Sequence, residues 1–214
     1  FVIGSLNVDV VATAVRLPAP GETIGDGILR REAGGKGANQ ASAAARLGAA
    51  TRMLGCVGRD ADGDLLVGAL AAAGVDVAGI RRGDAATGTA VIMVDADGEN
   101  CIVVCPGANA DVDDDAIAIG DDEAVLMQLE VPIDVVRRVA ASAPGFVALN
   151  AAPARSLPTD LVERVDLFIV NETEYGLMPE LAGARRVVVT LGADGAELRE
   201  RGEVVARAAG IAPA

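Results

Sequence analysis

The sequence predicts an α/β protein in which a mostly parallel sheet is covered by helices. Three observations carry this. Short β-rich apolar runs alternate along the chain with Ala/Leu-rich stretches, the order that builds parallel strands joined by helices. Those apolar runs are near-continuous rather than alternating, as strands buried on both faces require. Two regions break the rhythm with extended, more polar segments, which points to a separate small sheet.

In chain order, Phe1-Val2-Ile3 opens a strand at 1–4. Segments 8–15 and 23–31 are extended but polar, with Pro18 and Pro20-Gly21 as punctuation between them. An Ala-rich helix is expected at 38–47, a strand at 51–57 and a helix at 63–73. Segments 89–95 and 99–105 flank Asp97-Gly98, a strong hairpin signal, and complete the small sheet. The acidic run 111–115 reads as a solvated loop leading into a helix. Strands at 124–129, 146–151, 167–170 and 187–191 then alternate with helices at 133–141 and 160–164. Nothing reads as a linker, repeat or low-complexity tract, and 214 residues fit a single domain spanning 1–214.

Composition removes several functions. Eighteen basic against 31 acidic side chains leave a net charge of −13, which repels nucleic-acid backbones and anionic membranes. Three Phe and one Tyr, with no Trp, provide no base-stacking platform. The absence of histidine excludes His-based triads, His-ligated zinc and imidazole acid–base chemistry. Proton transfer falls to carboxylates, Lys, Cys or Tyr. No apolar run approaches the roughly 20 residues that span a bilayer, and no signal peptide is visible. Cys101 and Cys105 would share one strand face about 13 Å apart, too far to bridge. With Cys56 they read as reduced, buried thiols of a cytoplasmic protein.

Several short motifs carry candidate chemistry. Asn7 and Asp9, two apart in extended backbone, point to one face about 6.6 Å from each other; a carboxylate and an amide so placed suit neighbouring hydroxyls, and both residues also favour strand-end turns. Gly34-Gly35-Lys36-Gly37-Ala38-Asn39 precedes a helix, where glycines allow close approach and N–H groups are free to donate. It lacks the spacing of a Walker A loop. Glu130 ends a strand, where ligands of open α/β sheets bind; a solvated charge there is an equal reading. Asn171-Glu172-Thr173-Glu174 has the spacing of a capping box, and equally offers hard oxygen ligands of the kind Mg²⁺ takes. Thr190-Leu191-Gly192-Ala193-Asp194-Gly195 brings backbone N–H groups to a phosphate or turns the chain.

The order of these motifs carries more than any single one. Gly4-Ser5-Leu6-Asn7-Val8-Asp9, Gly34-Gly35-Lys36-Gly37-Ala38-Asn39-Gln40, Gly98-Glu99-Asn100, Pro106-Gly107-Ala108-Asn109-Ala110, Gln128-Leu129-Glu130, Asn171-Glu172-Thr173-Glu174 and the Thr190–Gly195 run together resemble the ribokinase-like family of carbohydrate kinases, over essentially the whole chain. The resemblance implies a three-layer α/β/α fold with a small β-sheet lid formed near 8–15, 23–31 and 89–105, often paired with a second lid in a homodimer. It implies phosphoryl transfer from ATP-Mg²⁺ to the 5-hydroxyl of D-ribose, with a monovalent cation, K⁺, as activator. By position, Asn7, Asp9, Gly35, Lys36, Gly37, Asn39 and Glu130 would hold the sugar. Asn171, Thr190, Gly192 and Gly195 would contact the nucleotide, and Glu174 would organise the metal and its waters.

Two departures qualify the match. The stretch from Tyr175 to Arg186 is shorter than the family usually has. The family's Gly-Ala-Gly-Asp motif, which supplies the catalytic aspartate and an anion hole, is expected just after Ala214, so no catalytic residue is assigned within 1–214; Asp194 sits in a turn on the nucleotide side and does not fill that role. Alternatives are a family kinase for another sugar or a nucleoside, or a sugar-binding module without catalysis. A nucleotide-dependent oxidoreductase is disfavoured because no Gly-x-Gly-x-x-Gly follows the first strand.

Overall fold

The computed structural model describes residues 1–113 and 118–210. Asp114 and Asp115 of the acidic run therefore lie outside the described residues, as does the helix start expected after them. The chain divides into two compact units, Gly4–Val112 and Phe1–Ile3 with Asp113–Ala214. Strand β1 (Val2–Ile3) opens the chain and belongs to the latter.

The unit Gly4–Val112 contains β2 (Asn7–Thr13), β3 (Ile28–Gly34), α1 (Lys36–Arg46), β4 (Arg52–Val57), α2 (Ala61–Ala72), β5 (Asp76–Arg82), β6 (Gly88–Val94) and β7 (Asn100–Cys105). Strands β3-β2-β6-β7 form a four-stranded sheet, the small sheet that the polar segments predict. The strand expected from residue 23 starts later: Gly25-Asp26-Gly27 resist extension, so pairing begins at Ile28. Asn7 sits opposite Gly34 on the antiparallel side and Gly88 on the parallel side. Strand β7 lies at the sheet edge with all six residues exposed. Cys101 and Cys105 are accordingly exposed free thiols, and only Cys56 is buried as expected; burial pushes the Cys56 thiol up from its ordinary pKa. The β4–β5 pair is parallel. Strand β5 escapes the sequence reading because Asp76, Arg81 and Arg82 interrupt its apolar run.

Asp60 organises this unit locally. As N-cap of α2 it accepts from the Gly63 N–H, and its two oxygens also take the Thr87 hydroxyl at 2.5 Å and the Thr87 N–H at 2.8 Å. Thr87 immediately precedes β6. The Thr87 hydroxyl, above all, holds the Asp60 carboxyl below the usual carboxylate range. A depressed folded-state pKa contributes stability above the unfolded value of about 3.9 and loses it as pH falls through the folded value. Asp60→Ala is expected to cost about 2 kcal/mol, from a lost cap and two orphaned donors. In chemical denaturation that gap should hold from neutrality to about pH 4 and close at lower pH; a gap that persists in acid would count against it.

In the other unit, β1 is followed by β8 (Val125–Gln128), α3 (Ile133–Ser142), β9 (Val147–Asn150), α4 (Thr159–Arg164), β10 (Leu167–Asn171), α5 (Glu172–Leu177), β11 (Val187–Thr190), β12 (Ala196–Glu200) and β13 (Glu203–Ala208). The strands lie in the order β13-β12-β11-β10-β9-β8-β1, parallel from β1 through β11. Phe168, Leu149, Met127 and Leu161 are almost fully buried, so one aromatic ring packs among aliphatic and thioether side chains in this core. Strands β12 and β13 form an antiparallel hairpin absent from the sequence reading. Their Ala, Glu and Arg residues favour helix. The deciding signal is Arg201-Gly202, both at positive φ (48° and 84°), as a two-residue hairpin turn of type I′ requires. Among the described residues no helix is long and apolar enough to cross a membrane.

Candidate functional site

In the unit Gly4–Val112 the candidate sugar residues gather where β2 leaves the turn Gly4–Asn7. Asn7 and Asp9 lie in β2 itself, so strand alternation puts both side chains on one face. Asn7 is buried and Asp9 half-buried. The Asp9 carboxylate lies against Gly34, where an added Cβ would meet its atoms at 2.3–2.6 Å. Gly34 thus leaves room for that carboxylate on the neighbouring strand.

Gly35 and Gly37 owe their identity to the chain's own backbone. Gly35 has φ +91°, and a Cβ there would fall 2.7 Å from the Asn7 nitrogen. A Cβ on Gly37 would fall 2.6 Å from the Ser5 nitrogen and 2.8 Å from the Ser5 carbonyl oxygen. The expected free N–H groups at the start of α1 are partly spoken for. The Ala38 N–H donates to the Ser5 carbonyl at 2.9 Å, and the Gly37 N–H to Ser5 Oγ at 3.3 Å. Half-buried Lys36 is the first residue of this closely packed helix and directly follows Gly35. Asn39 is exposed one turn further on, at the rim of a groove that Ser42, Arg46, Leu66 and Leu70 also line.

Sequence reasoning missed Ser5 and Asn109. Asn109, carried on the 3-10 turn Gly107–Asp111, is buried and bonds to both Leu6 and Asn7. The signal was present in Pro106-Gly107-Ala108-Asn109, where glycine readily accepts the φ of +51° at Gly107.

In the other unit the candidate residues sit at carboxyl ends of parallel strands, where open α/β sheets bind ligands. Glu130 is half-buried two residues past β8. Asn171 ends β10 and Thr190 ends β11, and the two are register partners on adjacent strands. Asn171 and Glu174 also form the capping box: Asn171 Oδ1 accepts from the Glu174 N–H at 2.7 Å, and Glu174 Oε2 accepts from the Asn171 N–H at 2.9 Å. The capping and the ligand-binding readings are therefore compatible, because Asn171 Nδ2 and Glu174 Oε1 take no part in the cap. The Thr190 hydroxyl donates to the Val170 carbonyl at 3.3 Å.

The two loop glycines differ. Gly192, at φ +57°, has nothing within 4 Å of a Cβ position, so its backbone faces open space. Gly195 is enclosed: a Cβ there would fall 2.0 Å from the Ala208 carbonyl oxygen, which explains the glycine by strand packing. Among the described residues no three acidic, Cys or His side chains converge as a metal cage. A carboxamide, a hydroxyl, an open glycine loop and one carboxylate instead fit a phosphate accompanied by Mg²⁺. That ion keeps most of its waters and needs one or two carboxylates, whereas Glu174 beside a bare phosphate would repel it.

Comparison with known proteins agrees with this architecture. Ribokinase of Haemophilus influenzae is 34% identical over 228 residues, covering 94% of this chain and 74% of its own length. Ribokinase of Staphylococcus aureus is 35% identical, covering 91% of this chain and 73% of its own. The crystal structure of Thermotoga maritima ribokinase superposes with a TM-score of 0.86 at 29% identity, covering 97% of this chain and 76% of that one. Arabidopsis thaliana ribokinase complexed with ribose and ATP gives 0.82 at 32% identity, covering 100% and 78%. The chain thus spans about three-quarters of the length of these relatives and has the ribokinase-like α/β fold. The model of the pfkB family carbohydrate kinases matches residues 1–212, and the chain belongs to that family.

Proposed function

We propose that the protein transfers the γ-phosphoryl group of ATP to the 5-hydroxyl of D-ribose. The observation that carries this is the placement of Asn7 and Asp9 on one strand face, braced by Gly34, Gly35 and Gly37. An amide and a carboxylate at adjacent same-face positions are suited to vicinal hydroxyls. The resemblance to ribokinases supports the choice of sugar and of ATP.

In this reading Asn7, Asp9, Gly35, Lys36, Gly37 and Asn39 bind the sugar, with Glu130 as a further sugar ligand. Asn171, Thr190 and Gly192 bind the nucleotide, and Gly195 shapes the loop that carries Gly192. Mg²⁺, when bound, neutralises charge on the phosphate oxygens, and Glu174 is the residue that would hold it through water. Phosphoryl transfer needs positioning and charge neutralisation more than covalent chemistry, so a chain without histidine suffers no handicap. No general base is assigned among these 214 residues.

The sheet β3-β2-β6-β7 is read as the lid of a single kinase domain. Exposed Ile28, Leu29, Ile102 and Val103 on it support a homodimer formed through paired lids. Activation by K⁺ rests on the family resemblance alone. Three free cysteines support a reducing compartment, the cytoplasm.

The test is a coupled kinase assay on the complete gene product with ribose, 2-deoxyribose, fructose and adenosine as acceptors. Ribose should show the highest kcat/KM, by at least about tenfold, the margin of one well-placed hydrogen bond. Preference for another sugar or for adenosine would overturn the substrate. Ribose binding without ATP turnover would favour a binding module.

A further inference from the structure

We infer that Asn109 is a positioning residue for sugar recognition: it locks the Asn7 carboxamide in the orientation that makes Asn7 a hydrogen-bond donor to the substrate. The inference rests on the sugar-site reading of Asn7 and adds a residue and a direction to it.

The orientation follows from one backbone group. Asn109 is 1% exposed and its Oδ1 lies 2.9 Å from the Leu6 nitrogen. A backbone N–H only donates, so the oxygen end of the Asn109 carboxamide must face it. Asn109 Nδ2 is then directed at two acceptors, the Leu6 carbonyl at 3.1 Å and Asn7 Oδ1 at 2.7 Å. Its two protons are spent on those two bonds. An NH₂ group cannot accept, so Asn7 has to present its oxygen to Asn109 and turn its nitrogen the other way. The usual ambiguity of an amide flip is thus removed for both side chains by the single Leu6 N–H.

Asn7 is itself 3% exposed, yet among the described residues no acceptor takes its Nδ2. With its oxygen committed to Asn109, the Asn7 amide has its nitrogen left to donate to a ligand hydroxyl. Two residues along the same strand face, Asp9 offers only acceptor atoms. Sugar hydroxyls each carry one proton and two lone pairs: Asp9 takes protons, and Asn7 gives protons to lone pairs. An Asn7 turned the other way would set its carbonyl oxygen beside the Asp9 carboxylate, and this strand face would offer the sugar no side-chain donor.

The surroundings are shaped for this amide pair. Gly88, the first residue of β6 and register partner of Asn7, has no room for a side chain. A Cβ there would lie 2.2 Å from Asn109 Nδ2 and 2.3 Å from Asn7 Oδ1. Gly107, at φ +51°, turns the chain that delivers Asn109, with the Ala86 carbonyl oxygen 2.2 Å from a Cβ position.

The test is steady-state kinetics of Asn109→Asp, Asn7→Ala, their double variant and Asn7→Asp in the complete protein. The carboxylate introduced by Asn109→Asp would still accept from the Leu6 N–H but donate nothing, so Asn7 turns over to donate to it. Asn109→Asp is expected to raise the KM for ribose about tenfold, as is Asn7→Ala, each losing one donor to the sugar. The KM for ATP should not move. The double variant should show no further rise over Asn7→Ala, because Asn109 acts through Asn7. Multiplying effects, or an Asn109→Asp protein with wild-type ribose KM beside a weakened Asn7→Ala, would overturn the inference. An unchanged ribose KM in Asn7→Ala would instead overturn the sugar-site reading on which it rests. Should Asn109→Asp fail to fold, Asn7→Asp decides: it keeps the acceptor that Asn109 needs and removes only the donor. An unchanged or lowered ribose KM there would refute the donor role.

Discussion

Replacing Asp9 with alanine in the complete protein is expected to lower kcat/KM for ribose by about three orders of magnitude while leaving a folded enzyme. Hydrogen bonds from neutral hydroxyls to a charged group are worth about 1.5–3 kcal/mol each, and a carboxylate that grips two hydroxyls loses both on truncation. The structure gives little reason for the fold to suffer. Asp9 is half-buried rather than part of the core, so truncating it leaves no large internal cavity. Its strand partners Glu32 and Ala90 are held by the backbone ladder of β2 with β3 and β6. The loss should fall on the sugar, with the KM for ATP little changed. Near-wild-type kcat/KM in a variant with a native melting curve would remove Asp9 from the sugar site.

Gly37→Ala is expected to destabilise the fold by about 2 kcal/mol, the balance of two effects of opposite sign. Alanine is the better helix former by about 1 kcal/mol, and Gly37 lies inside α1. Against this, the new methyl would sit 2.6–2.8 Å from three backbone atoms of Gly4 and Ser5. None of these can swing aside, and overpacking of this kind costs about 1–3 kcal/mol or more. Shifting α1 to relieve it would break the Ser5 bonds to Gly37 and Ala38. Gly68→Ala provides the internal control. Gly68 is also helical, in α2, but has nothing within 4 Å of its Cβ position, so it should gain up to about 1 kcal/mol. Thermal melts should therefore move in opposite directions for two chemically identical substitutions. A Gly37→Ala protein as stable as Gly68→Ala would show that the turn yields, and that the glycine answers to a ligand rather than to Ser5.

Much of this was legible from residue order because it depends on local rules. The buried parallel strands announced themselves by unbroken apolar runs such as Leu167-Phe168-Ile169-Val170, and Asp97-Gly98 marked the β6–β7 hairpin. The capping box of Asn171 and Glu174 is likewise a property of spacing alone. Elements set by long-range pairing were not legible. Strand β5 needs β4 beside it, with Gly79 allowing the Met53 carbonyl to approach to 2.7 Å of a Cβ position. The β12–β13 hairpin overrides the helical preference of its Ala, Glu and Arg residues by cross-strand pairing, including Glu197, whose carboxyl is held below its ordinary pKa, first by its bond to Arg199 and also by Arg207.

The candidate site divides along the same line. By itself the sequence determined which residue types are available and in what order, and its motifs carried the resemblance to the carbohydrate kinases from which the proposed site of carboxylates, amides and glycine loops follows. It also placed Asn7 and Asp9 on one face, since alternation along a strand is local. Only the tertiary structure decided that Gly35 and Gly37 serve the Ser5–Asn7 turn, that Gly195 serves the packing of residues 208–210, and that Asn109, about a hundred residues from Asn7, fixes that side chain's orientation. The physical reason is common to all three. A close backbone approach or a buried amide pair belongs to two distant segments at once, and neither segment alone carries the distance between them.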